Sequence, residues 1–117
     1  MIGPLYSSLS GMAAAQTKLA SAAHNIANAN TEGFKKQRVL LQESTSQGVK
    51  ATVEQVKTPG PVLMRATETG LVEVEQSNVE LNEEVVAMIR ARRLYESNSR
   101  AVESANESLG HLLDMME

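Results

Sequence analysis

Leu81, Val85, Met88, Arg92, Tyr95, Ser99, Val102, Asn106, Leu109, Leu113 and Met116 follow one another at alternating steps of four and three, without a slip. Only a helix gathers positions spaced in this way onto one side. Thirty-odd helical residues span on the order of 50 Å, at about 1.5 Å each. A second series, Leu5, Leu9, Met12, Gln16, Leu19, Ala23, Ile26 and Asn30, stands at the other end of the chain. Both are heptad seams. The expected fold class is therefore mainly α: two long terminal heptad helices pairing as a coiled coil, with a short β-hairpin between them.

The residues expected to supply the apolar packing are Leu5, Leu9, Met12, Leu19 and Ile26 on the first helix. On the second they are Leu81, Val85, Met88, Tyr95, Val102, Leu109 and Leu113. Arg92, Ser99 and Asn106 interrupt one track of the second seam. Polar residues there either fix register or stand at the edge of the buried stripe, and the pattern leaves both open. Pro4 suits a first helical turn. Asn78 or Asn82 is placed to cap the second helix, with Glu83 and Glu84 favourable in its first turn. Gly11, inside the first helix, costs about 1 kcal/mol relative to alanine.

Between the seams the pattern turns β-rich, in "VLLQES", "GVKATVEQV" and "PVLMRA". "KTPGPV" reads as a tight reversal at Pro59 and Gly60. The chain then divides into residues 1–33 (N-terminal helix and its asparagine-rich end), 34–77 (short hairpin and loops) and 78–117 (C-terminal helix). Two strands alone are marginal in water, so the middle needs a helix or a neighbouring molecule to lie on. Of the 42% hydrophobic residues many are alanine, and the aromatics are Tyr6, Phe34 and Tyr95. Burial is worth roughly 25 cal/mol per Å², so the chain's own core is thin and completion by partners is expected.

The search for chemistry is short. His24 and His111 stand alone, without the i, i+4 partner of a zinc helix. Glu73, Glu75, Glu83 and Glu84 read as solvated or capping groups rather than an acid–base pair. There is no G-x-S-x-G elbow and no glycine-rich phosphate loop. No cofactor and no metal is expected. A net charge of −3 argues against a nucleic-acid binder. The basic groups Arg90, Arg92 and Arg93 are flanked by glutamates with which they can pair. Cysteine is absent, and no apolar run approaches the length of a membrane span. "MIGPLYSSLSGMAAAQ" lacks the pattern of a cleaved secretory signal, which leaves export by another route open.

"HNIANANTEGFKK" raises a separate question. A plain helix C-cap accounts for Gly33 in a left-handed conformation, with Asn28 and Asn30 satisfying the last carbonyls. It does not account for three asparagines in six positions. The surrounding stretch, "SSLSGMAAAQTKLASAAHNIANANTEGFKK", resembles the N-terminal motif of the bacterial flagellar rod and hook axial protein family. That motif, N-x-A-N-x-x-T-x-G-[FY]-[KR], is met by Asn25, Ala27, Asn28, Thr31, Gly33, Phe34 and Lys35. "SNVELNEEVVAMIRARRLYESNSRAVESAN" resembles the family's C-terminal motif, with Asn78, Val79, Glu84, Met88, Ile89, Arg93, Tyr95 and Asn98 in register.

The resemblance implies a non-enzymatic structural subunit of the flagellar basal-body rod. Such a subunit is exported by the flagellar type III apparatus without a cleaved signal peptide. It packs with other rod subunits into a helical tube, with no nucleic acid and no membrane span. The asparagine-rich end would be the joint where the chain leaves the tube wall. Distal-rod and hook members carry a large β-rich domain between the two motifs; here there is only the short waist, as in a short, proximal-type subunit. The rival reading of the same residues is a soluble helical adaptor or export chaperone-like module acting as a discrete dimer.

Overall fold

A computed structural model of the chain describes residues 2–117. Its elements run α1 (Ile2–Ala27), β1 (Gln37–Glu43), β2 (Val49–Gln55), β3 (Val62–Thr67), β4 (Gly70–Glu75) and α2 (Leu81–Met116). Two long helices packed together, with strands confined to the middle, are the fold class that the periodicity predicts. The middle differs in detail: it holds two antiparallel hairpins, β1–β2 and β3–β4, rather than one. Pro59 and Gly60 are not a hairpin turn but lie in the linker between the two. The reversals fall instead at 44–48, where Gln47 and Gly48 take positive φ (74° and 89°), and just before Gly70 (φ 122°).

The helices are antiparallel. Gly11 faces Asn98, whereas Lys18 to Ala22 share a groove with Glu83 to Arg90. A Cβ on Gly11 would stand 2.7 Å from the Asn98 side-chain oxygen. The glycine that weakens an isolated helix is therefore what lets the two backbones approach. The rest of the seam is equally small: Ala14, Ala15, Ala22 and Ala91 are the buried hydrophobic residues. This register runs out near the start of α1, and residues 110–116 of α2 have no α1 opposite them among the described residues.

The first hairpin folds back along α1. Asn25 holds its base, and at its tip the Val49 amide donates to Ser10 Oγ at 3.0 Å. The second hairpin touches neither helix nor the first hairpin among the described residues, and every residue of β3 is exposed. The result is a rod of 83 × 25 × 16 Å with a radius of gyration of 20.9 Å, where a compact chain of this length would give about 13 Å. The accessible surface is 8466 Å². A compact monomer of this mass would expose roughly 6,200 Å².

Candidate assembly interface

The joint at the end of α1 is built from two asparagines used as substitutes for backbone. Asn25, fully buried, donates from Nδ2 to the Gln37 carbonyl (2.9 Å), and its Oδ1 accepts from the Gln37 amide (2.8 Å). One side chain thus satisfies both groups of the first residue of β1, as a neighbouring strand would. Asn78 does the same for the linker. Its Oδ1 accepts from the Lys36 amide at 2.6 Å, while Nδ2 donates to the Val56 and Thr58 carbonyls at 3.0 Å each. It is therefore not the cap of α2, and nor is Asn82: Glu80 takes the N-cap position without a side-chain hydrogen bond, while Glu83 and Glu84 do occupy the first turn.

The left-handed cap expected at Gly33 is also displaced. The helix ends at Ala27 through tightened turns, with the Asn28 amide bonded to the His24 and Asn25 carbonyls. Asn28 Nδ2 donates to the His24 carbonyl at 2.9 Å, and its Oδ1 accepts from Thr31 Oγ1 at 3.1 Å. Gly33 does have positive φ (70°), but well past the helix, where its amide donates to the Glu75 carbonyl. It turns the chain onto the end of β4. Phe34 meets His24 edge-on, with ring centroids 5.5 Å apart. Lys35 and Lys36 are not free in water: they are half-buried and pair with Glu75 and Glu83. The Lys35 ammonium and the Gly60 amide, both donating to the Glu75 carboxylate, hold its pKa below the usual 4.5. These bonds fix where the second hairpin leaves the rod.

Along the rod the predicted packing residues divide into two sets. Leu5, Met12, Ile26, Met88, Tyr95, Val102 and Leu109 are half-buried at the edges of the α1–α2 contact. Leu9, Leu19, Leu81, Val85 and Leu113 are exposed. So are Arg92, Ser99 and Asn106, which places the polar interruptions outside the buried stripe. The inward tracks run one position away, through Gly11, Ala15, Ala22 and Asn25 on one helix and Glu84, Ala91 and Asn98 on the other. Counting large apolar residues misses these tracks. A glycine in mid-helix, followed four residues later by Ala15 and a heptad after that by Ala22, was the available signal. Of the basic helix residues, Arg92 pairs with Glu96 at 3.1 Å. Arg93 is exposed and makes no ion pair among the described residues, and Asn98 Nδ2 returns to the Leu94 carbonyl.

A rod built on two long antiparallel helices, whose internal contact uses its smallest residues and whose large aliphatics face outward, has the form of an assembly component. The two ends match family models separately. Residues 5–35 match "Flagella basal body rod protein", and residues 73–115 match "Flagellar basal body rod FlgEFG protein C-terminal". The chain belongs to the flagellar rod and hook axial family. It is similar to the flagellar basal-body rod protein FlgG of Bacillus subtilis, with 51% identity over 49 residues, covering 42% of this chain and 19% of that protein. It is also similar to the flagellar hook protein FlgE of Borreliella burgdorferi, with 47% identity over 49 residues, covering 42% of this chain and 11% of the relative. The matched part is thus under a fifth of the length of either relative.

Proposed function

We propose that the chain is a non-enzymatic structural subunit of the flagellar basal-body rod, polymerising with other axial subunits through its terminal helices into a helical tube. One observation carries this reading. The internal seam uses alanine and glycine, while Leu9, Leu19, Val85, Val86 and Ile89 stay on the outside of the helix pair. Those side chains contribute little to the isolated fold, and their burial awaits neighbours. Head-to-tail repetition of such a contact is heterologous and gives an open array rather than a closed dimer. The same reading puts the protein in the basal body, delivered by the flagellar type III apparatus without a cleaved signal peptide.

Val85→Asp tests it. Val85 is 48% exposed, so the isolated variant should keep its helix content and lose less than about 0.5 kcal/mol of stability. Rod assembly and swimming should fail in cells that carry it as their only copy, because the carboxylate would be desolvated in the subunit contact. Normal rods and normal motility in those cells would overturn the proposal.

A further inference from the structure

The rod carries a groove at its middle and an exposed, oppositely charged helix end. The groove has a volume of about 480 Å³, within the range of about 300–1,000 Å³ in which concave sites enclose a guest. It lies where α1, the base of the first hairpin and the start of α2 meet. Ala22, Val39, Val56 and Val86 give it apolar wall, and Lys18 and Arg90 stand in its lining. Its other cations, Lys36 and Arg38, are paired with Glu83 and Glu54. Lys18 and Arg90 make no ion pair among the described residues. Glu84, the remaining acid of the lining, is buried, so the unpaired cations set the sign of the groove's open side.

The far end of α2 is the counterpart. From Ala101 onward the chain carries Glu103, Glu107, Asp114 and Glu117 and neither lysine nor arginine. Its last two turns lie beyond α1, with Leu112 and Leu113 exposed and Met115 and Met116 exposed by 82% and 84%. Unbranched methionine side chains adapt to irregular apolar walls. We infer that the Leu112–Met116 end of α2 from a second copy docks in this groove, its methionines against the valines and Asp114 beside Lys18 and Arg90. The contact joins two different surfaces of the same chain, so it propagates along the rod axis. It rests on the subunit reading above, to which it adds the identity of one axial contact.

Two variants of the full chain test it. The groove variant is Lys18→Glu with Arg90→Glu; the tail variant is Met115→Ser, Met116→Ser with Asp114→Lys. Arg90→Ala alone, at an exposed position, gives the same readout should the double charge reversal disturb the fold, which circular dichroism reports. In analytical ultracentrifugation at low salt the parent chain should associate in a concentration-dependent manner. Each variant alone should lose this association at least tenfold, and their mixture should form a one-to-one complex and stop there. A mixture that stays monomeric, or variants that associate like the parent, would overturn the docking contact. In the second case the subunit reading survives, because the parent still assembles. A parent chain that stays monomeric at every concentration, alone and with other axial subunits, overturns both.

Discussion

Asn25 shows how much one side chain decides here. Its amide supplies one donor and one acceptor to the backbone of Gln37, in a site with almost no exposure. Asn25→Asp keeps the acceptor but loses the donor, and turns a carboxylate oxygen towards a carbonyl in a buried place. A loss of about 2–4 kcal/mol is expected, read as a lower midpoint in urea. The exchange protection of the Gln37 amide should fall with it. Gly33 and Gly60 act through backbone in two different ways. At Gly33 there is open space but a left-handed φ, so a side chain is strained by conformation. At Gly60 φ is ordinary, and an added Cβ would fall 2.1 Å from the Gln76 carbonyl oxygen. The asparagine cluster was visible in the sequence as something more than a cap. Its purpose was not, because the partner of Asn25 lies across a turn whose path no local pattern specifies.

Among the elements, the helices were legible and the middle only partly so. A heptad over α2 survives any neighbour, since period alone fixes which residues share a face. Which face meets α1 was not fixed, because Leu, Val and Met score alike whether they face a helix of the same chain or another molecule. Two hairpins were mistaken for one because Pro59 and Gly60 have the chemistry of a turn, and the Lys35–Glu75 and Asn78 bonds that make them a linker are non-local. The same linker carries a pH dependence. The folded pKa of Glu75 lies below 4.5, so the stabilisation from its pair with Lys35 is complete above about pH 4.5. It is lost as pH falls through the folded value. The protection of the Gly60 amide, which donates to Glu75 Oε1, measured against its intrinsic exchange rate at each pH, should fall on acidification below about pH 4.5. Glu75→Gln should remove that dependence and leave the exchange rates of α1 and α2 unchanged.

At the scale of the whole molecule, surface is the dominant quantity. The chain exposes roughly 2,000 Å² more than a compact protein of its mass, comparable to the total buried by a stable protein–protein interface. X-ray scattering from a dilute solution should return a radius of gyration near the 20.9 Å of the single chain. With rising concentration the value should grow steadily, without a plateau at a dimer, while binding of an apolar dye per chain declines. A plateau at two copies would favour the discrete adaptor. The antiparallel register also has a consequence for the order in which the parts form. Gly11 and Asn98 meet across most of the chain, so their contact must await closure of a long loop, whereas the first hairpin and its hold on α1 close over shorter ones. The amino-terminal helix is therefore settled against its strands first and against its partner helix last. Until that final step the alanine face that makes the seam stays open to whichever second helix reaches it.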